Sequence, residues 1–209
     1  MATYSSIAHN FTPPAATTSA AVGAGAMTLI KSIDASSDST ISFVNGSSDV
    51  VLDNTYKTYI FKYIGIHPSA SNPEFTVNFR DGGSNYDATK TTSYFNTYHN
   101  EDDNDAGGPG YNGNQDIQSG TGAHTILEDL GNDNDQAGSG YLFVFNPANT
   151  ATNTHYMGRS SNCHGSDYSQ DIWYSGYVDN STAATTAVQF KMSSGDIDTG
   201  LIDLYGFRK

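Results

Sequence analysis

The C-terminal stretch, residues 186–207, constrains the fold more than any other part of this 209-residue chain. Its first half alternates apolar residues with polar ones: Val188, Phe190 and Met192 against Gln189 and Lys191. Turn residues follow at 193–196, and a second short run then places Ile202 and Leu204 opposite Asp203. Alternation with a period of two is typical of strands with one buried face. The stretch therefore predicts a closing β-hairpin in a half-buried sheet.

Short strands joined by polar turns are predicted along most of the chain. Glycine (21), tyrosine (14) and phenylalanine (10) are abundant, and only 15% of the residues are charged. Apolar runs of strand length recur at residues 41–43, 59–66, 74–80, 91–98, 141–145, 154–157 and 172–178. About nine or ten short strands with this spacing predict an all-β fold, an antiparallel β-sandwich that is jelly-roll-like.

The first 35 residues differ from the rest because they are rich in Ala, Thr and Gly and show little sustained alternation. We interpret residues 1–35 as an extended N-terminal arm and residues 36–209 as the β-sandwich domain. Such a segment is either a disordered leader or an arm that becomes ordered against a neighbouring subunit. We favour the second interpretation, in which four apolar residues are the interface anchors: Phe11, Met27, Leu29 and Ile30.

The charge balance restricts the possible partners. The chain has 9 basic and 22 acidic residues, which gives a net charge of −13. Binding to nucleic acid or to an anionic membrane needs clustered Lys and Arg, so we expect neither partner. Cys163 is the one cysteine, so no disulfide framework within the chain is expected. With no secretion signal or bilayer-spanning run in the sequence, we expect assembly in a bacterial cytoplasm.

Two acidic runs, residues 101–105 and 132–135, are candidate cation sites. Calcium takes about six to eight oxygen ligands, and such loops offer carboxylates, amides and backbone carbonyls. The candidate ligands are Asp103, Asp105, Asp133 and Asp135. The alternative is a pair of solvated turns, because Asn and Asp tolerate turn conformations, and neither run has EF-hand spacing. We expect no bound cofactor, with Ca²⁺ as the one candidate.

The sequence contains no recognisable catalytic motif, so we expect a protein that is not an enzyme. Cys163 and His164 are adjacent, and neighbours in a strand point to opposite faces, which disfavours a nucleophile–base pair. Tyr111 lies in the longest predicted loop, residues 99–120, and is our candidate contact residue. Trp173 has strand-like spacing with its apolar neighbours, and we interpret it as a core residue.

The C-terminal segment SSGDIDTGLIDLYGF, residues 193–207, carries a family resemblance. It resembles the C-terminal signature, SSGxIxxGxIxLYG, of small virion structural proteins of tailed bacteriophages, especially those of marine cyanobacteria and other marine bacteria. Two internal segments are similar to the same group: TYKTYIFKYIGIHP (residues 55–68) and GNDNDQAGSGYLFVFNP (residues 131–147). The resemblance covers roughly residues 36–209, and its motifs are structural.

The resemblance implies a non-enzymatic virion protein on the outer surface of the phage particle, assembled in the host cytoplasm. Two placements follow from it. The first is a capsid decoration protein, a homotrimer bound to the major capsid protein through the N-terminal arm. The second is a tail-fibre or receptor-binding domain that recognises a host surface glycan. We prefer decoration, because the chain is short, lacks fibrous repeats and has an anchoring arm. A third class, the calcium-dependent carbohydrate-binding module, needs an exposed aromatic platform and a bound ion.

Overall fold

A computed structural model describes residues 27–179 and 183–207 of the chain. These residues form twelve strands and no helix, and hence no helix long and apolar enough to cross a membrane. The strands are β1 (Met27–Asp38), β2 (Ile41–Val44), β3 (Thr58–Pro68), β4 (Phe75–Asp81), β5 (Lys90–Asn100), β6 (Ala106–Tyr111), β7 (His124–Leu127), β8 (Gly138–Phe145), β9 (Thr154–His164), β10 (Tyr168–Val178), β11 (Thr185–Met192) and β12 (Ile197–Phe207).

The strands form two antiparallel sheets. The larger sheet has eight strands in the order β1-β12-β3-β8-β9-β10-β5-β6, and the smaller has four in the order β2-β11-β4-β7. The all-β antiparallel sandwich predicted from the sequence is confirmed. The jelly-roll part of that prediction is not confirmed, because the two sheets are unequal in size.

Aromatic side chains from both sheets fill the core between them. The Phe61 ring on β3 lies edge-on to Phe43 on β2, with ring centroids 5.2 Å apart, and to Phe190 on β11, at 5.4 Å. Phe79 on β4 contacts Tyr156 on β9 at 4.8 Å. Each fully buried ring of this kind contributes about 1.5–3 kcal/mol through the hydrophobic effect. The core therefore holds the two sheets together.

The predicted C-terminal hairpin is wrong. Strand β11 pairs with β2 and β4 in the smaller sheet, whereas β12 pairs with β1 and β3 in the larger one. Residues 193–196 form the connection that crosses from one sheet to the other. Alternation predicts which face of a strand is buried, and that part is correct for Val188, Phe190 and Met192. Alternation does not predict which strand pairs with which, and here both β11 and β12 pair with two strands that are distant in sequence.

Two further elements differ from the sequence prediction. Strand β1 runs through the predicted boundary at residue 35 and pairs with β12, so residues 27–35 belong to the sandwich. A register shift between Leu29 and Lys31 interrupts its alternation, which hid the strand in the sequence. Strand β6 lies inside the predicted loop 99–120 and pairs with β5. Its sequence, AGGPGY, carries no alternation.

Polar groups are buried inside this apolar core. The Tyr63 hydroxyl lies against the Ser160 hydroxyl and 2.8 Å from that of Tyr174, which in turn donates to the Tyr141 carbonyl at 2.9 Å. Burial raises the pKa of both tyrosines. Glycines lie directly opposite three buried tyrosines across the larger sheet: Gly140 opposite Tyr63, Gly158 opposite Tyr174, and Gly176 opposite Tyr156. The missing side chains leave the space that the tyrosine rings and hydroxyls fill.

Two basic side chains share this interior. Lys90 on β5 is fully buried, its Nζ donates to the Gly122 carbonyl at 2.6 Å, and burial lowers its pKa to about 8. His124 on β7 is also fully buried, with Nδ1 3.1 Å from the Tyr156 hydroxyl. Within the described part of the chain, His124 Nε2 has no hydrogen-bond partner. Burial and then the nearby Lys90 lower the pKa of His124 to about 3, so its ring is neutral near pH 7.

Candidate functional site

The outer face of the larger sheet, which points away from the smaller sheet, carries an apolar band. The band consists of two rows of side chains that lie side by side across seven neighbouring strands, from β1 to β5 in the sheet order. One row is Leu29, Tyr205, Ile60, Phe143, Met157, Ser175 and Ser93, and the other is Met27, Phe207, Thr58, Phe145, His155, Tyr177 and Thr91. Neither row contains Asp, Glu, Lys or Arg, and nine of the fourteen side chains are apolar or aromatic, the others being Thr58, Thr91, Ser93, His155 and Ser175. Ile60, near the middle of the band, is only 5% exposed.

Several members of the apolar band are open to solvent. Met27 is 45% exposed, Leu29 52%, Met157 52% and Tyr177 36%. The outer face of the smaller sheet is polar by contrast, with Ser42, Thr76, Asn78, Gln189 and Lys191 at its outward positions. Contiguous exposed apolar surface on a folded protein marks an interaction site, whereas scattered apolar residues do not. The apolar band is therefore the candidate functional surface of this molecule.

An aromatic ridge runs beside the apolar band, formed by the next row of outward side chains: Tyr141, Arg159, Trp173, Phe95 and Tyr111. Trp173 stacks on Phe95 with centroids 5.3 Å apart and planes 8° apart, while the Arg159 guanidinium lies 4.8 Å from the Trp173 ring centre. Arg159 also donates two hydrogen bonds to the Asp171 carboxylate. The prediction that Trp173 is a core residue is wrong. Its neighbours Ile172 and Tyr174 point inward, so the strand period turns Trp173 outward.

The stacking determines what the aromatic ridge offers to a partner. Phe95 and Arg159 lie on either side of the Trp173 ring, so the ring presents its edge and not its face to solvent. A sugar stacks on a ring face, so Trp173 is not placed as a flat carbohydrate platform. Tyr111, at the end of the row, is 65% exposed and donates its hydroxyl to Asp116. It is the most exposed ring in the part of the chain that the structure describes.

The carboxylate of Glu128 holds the loop that follows Tyr111 in place. Glu128 accepts hydrogen bonds from Asn112 Nδ2 and Gln115 Nε2, both at 3.0 Å. Its second oxygen accepts from Tyr94 and Asn96 at 3.2 and 3.1 Å. Glu128 thus links two donors on β5 to two donors in the loop and holds residues 112–115 in place beside Tyr111.

Grooves floored by serines lie on both sides of the aromatic ridge. One groove, of about 430 Å³, lies within the apolar band between Met157 and Tyr177, with Ser93 and Ser175 on its floor. The other, of about 550 Å³, lies on the far side, with Ser139, Ser161 and Ser169 on its floor and Asp171 at its rim. The outer face is therefore corrugated, with a raised row of rings between two lowered rows of small side chains.

The four predicted interface residues fall into three places. Met27 and Leu29 belong to the apolar band at the edge strand β1. Ile30 packs partly buried against the core, because strand alternation turns its side chain to the face opposite Met27 and Leu29. Phe11 lies outside the described residues.

The two acidic runs lie at the same end of the sandwich, on either side of Cys163. Burial raises the pKa of the Cys163 thiol, and the carboxylates of Asp167, Glu101, Asp135 and Asp133 raise it further. Two of the candidate calcium ligands have protein partners: the Asp103 carboxylate lies 3.0 Å from His99 Nε2, and the Asp105 carboxylate accepts from the Tyr168 hydroxyl at 3.3 Å. Asp133 and Asp135 are exposed, and it is the backbone amide of Asp133 that donates to Gln136 Oε1, at 3.1 Å. Across residues 27–179 and 183–207, no three His, Cys, Asp or Glu side chains converge in a group that could hold a metal ion.

Calcium dependence has a simple test. Because the candidate ligands already have protein partners or face solvent, we expect the Tm to be the same in EDTA and in millimolar CaCl₂. Differential scanning fluorimetry in both solutions checks this, with MgCl₂ as the control for ionic strength. A rise in Tm specific to calcium, abolished by Asp133→Asn with Asp135→Asn, would instead assign a calcium site to this end of the sandwich.

Cys163 and His164 do not form a nucleophile and base. His164 Nε2 lies 3.3 Å from the Asp129 carboxylate, and its Nδ1 accepts from the Ser166 amide at 2.9 Å. Both ring nitrogens thus face other groups, and the raised pKa of the thiol keeps it protonated.

No protein-family model, no curated protein and no solved structure matches this chain. The sequence predicts only part of the apolar band. Strands β3 and β8 have apolar residues on both faces, and this pattern indicates either a central strand or contact with another subunit. The remaining members come from strands far apart in the chain, and only the pairing register places them side by side.

Proposed function

We propose that this chain is a non-enzymatic structural protein of a tailed-phage particle that associates with its neighbours through the outer face of the larger sheet. The observation that carries the proposal is the apolar band, which crosses seven strands without one charged side chain in a protein of net charge −13. A core needs one apolar face of each sheet, and a second apolar face that is open to solvent marks an interaction surface.

Within the particle, we propose the role of a capsid decoration protein bound to the major capsid protein through its N-terminal segment. The resemblance of residues 193–207 to small virion proteins supports a structural component of the particle and leaves both placements open. Met27 and Leu29 support the decoration role, because they put exposed apolar side chains where the N-terminal segment joins the edge of the sheet.

A tail-fibre or receptor-binding domain is the second candidate, and one observation favours it. Tyr111 is 65% exposed beside the Asp116 carboxylate on a loop that Glu128 holds in place. An exposed ring with an adjacent hydrogen-bonding carboxylate is the kind of pair that binds a sugar, so this candidate assigns a host glycan to Tyr111.

The copy number of the protein in purified particles tests the proposal. We expect quantitative mass spectrometry to find it in a stoichiometry comparable to that of the major capsid protein, because a decoration protein covers the whole shell. A few copies per particle, with host-cell binding lost in Tyr111→Phe or Tyr111→Ala particles, would favour the tail. Absence from particles that form normally would overturn the proposal.

A further inference from the structure

We propose that the apolar band is covered by a second copy of this chain, packed face to face across a twofold axis. The inference rests on the proposed function in one respect, that the outer face is an association surface. It adds the identity of the partner and the residues that meet at the interface.

Charge permits an identical partner at the apolar band. Neither row of the band carries a charged side chain, and beside it Arg159 is paired with Asp171. Although each copy has a net charge of −13, contact through the band itself sets no like charges against each other.

Shape favours the same partner. An interface across a twofold axis must be self-complementary, so that residue i meets residue j and residue j meets residue i. Trp173 on the aromatic ridge and Ser175 on the groove floor are two residues apart on β10, about 6.6 Å along the strand. A twofold axis between these two rows places the Trp173–Phe95 ridge of each copy over the Ser93–Ser175 groove of the other.

The area is sufficient for a stable pair. Eight strands about 4.8 Å apart span about 34 Å, and the outward positions from Ser139 to Phe145 span about 20 Å along β8. The whole outer face, of which the apolar band and the aromatic ridge are parts, therefore has a footprint of about 700 Å², close to the roughly 800 Å² that each partner contributes to an interface of standard size. Sheets that stack in this way keep their aligned faces about 10 Å apart.

Trp173 reports directly on this contact because it is the one tryptophan of the chain. We expect the full-length protein to sediment at twice its 22.3 kDa mass at micromolar concentrations and to dissociate on dilution. Over the same dilution series, the Trp173 emission should shift to longer wavelength and acrylamide quenching should increase, because its exposed edge loses its cover.

Two substitutions on the outer face test the geometry independently. Met157→Lys puts a charge on the wall of the groove, and Ser175→Arg fills its floor. Because the interface has twofold symmetry, each substitution occurs in it twice, once from each copy. Each should raise the dissociation constant of the pair by about tenfold or more. The matched control is Ser47→Arg in the exposed turn after β2, which should leave the constant unchanged. Thermal unfolding of each variant separates loss of association from loss of folding.

Two results would overturn the inference. One is a monomer at all concentrations, with Trp173 quenched equally throughout. The other is an oligomer, such as a trimer, that both outer-face variants leave intact. Either result leaves the proposed function standing if the protein is still abundant in particles, since the outer face would then contact another virion protein. A stable pair in solution, together with absence from particles, would instead support the inference and reject the proposed function.

Discussion

Lowering the pH from 6.5 to 3 should reduce the free energy of unfolding by about 4–5 kcal/mol through His124 alone. Its pKa falls from an ordinary value of 6.5 to about 3 in the folded protein, first because the ring is buried and second because Lys90 is nearby. Each pKa unit corresponds to about 1.4 kcal/mol. The other titratable groups around the ring are the hydroxyls of Tyr156 and Tyr174, both neutral throughout this range.

The sign follows from proton uptake. Below pH 6.5 the unfolded chain binds a proton at His124, whereas the folded protein does not until the pH approaches 3. The unfolded state therefore binds more protons within this window, and stability falls as the pH falls. The stability that the neutral ring provides is complete above pH 6.5 and is lost progressively down to pH 3.

Urea denaturation at fixed protein concentration between pH 3 and pH 7.5 measures the effect. In His124→Gln, the side-chain carbonyl can still accept a hydrogen bond from Tyr156. The decrease in the free energy of unfolding between pH 6.5 and pH 3 should be smaller in this variant than in the wild type by about 4–5 kcal/mol. His99→Gln is the control, because it makes the same substitution at an exposed histidine outside the core. If the free energy of unfolding depended on pH in the same way in the wild type and in His124→Gln, the prediction would be contradicted.

Replacing Gly158 with Ala should destabilise the protein by about 4 kcal/mol. A Cβ at this position would collide with the Tyr174 hydroxyl and with the Tyr141 carbonyl oxygen on the next strand. Overpacking costs about 1–3 kcal/mol, and displacing Tyr174 would also break its buried hydrogen bonds to Tyr63 and Tyr141, at about 1 kcal/mol each. In a chain of this length, we expect the Tm to fall by about 10 °C.

Gly122→Ala is the matched control for this prediction, because a Cβ there has no other atom within 4 Å. It should leave the Tm unchanged to within about 2 °C. Calorimetry on both variants makes the comparison. If Gly158→Ala were as stable as the wild type, the opposed glycines would not be what accommodates the buried tyrosines.

Burial could be predicted from this sequence more completely than pairing. Alternation reflects which face of a strand is apolar, so the inward positions of β4 and β11 were correct. It says nothing about which strand lies alongside, so β11 and β12 were wrongly joined as a hairpin. Trp173 was misplaced for a related reason, since an aromatic residue between two core residues of one strand must face the other way.

The candidate site could be predicted only as separate parts. The two-sided apolar runs of β3 and β8 and the apolar residues Met27 and Leu29 were visible in the sequence. Their union into one band depends on pairings between residues up to about 180 positions apart, as in the pairing of Met27 with Phe207. Strand alternation also turns Ile30 away from Met27 and Leu29, with which it had been grouped.

The position of the last two strands has a consequence for how the chain is made. Strand β1 has β12 as its neighbour, and β2 has β11, so the first two of the described strands pair with the last two. Neither sheet can be completed until residues 185–207 have been synthesised, and closing such long loops makes folding slow. Until then, the aromatic residues of the middle strands lack their full set of partners and expose apolar surface that favours aggregation.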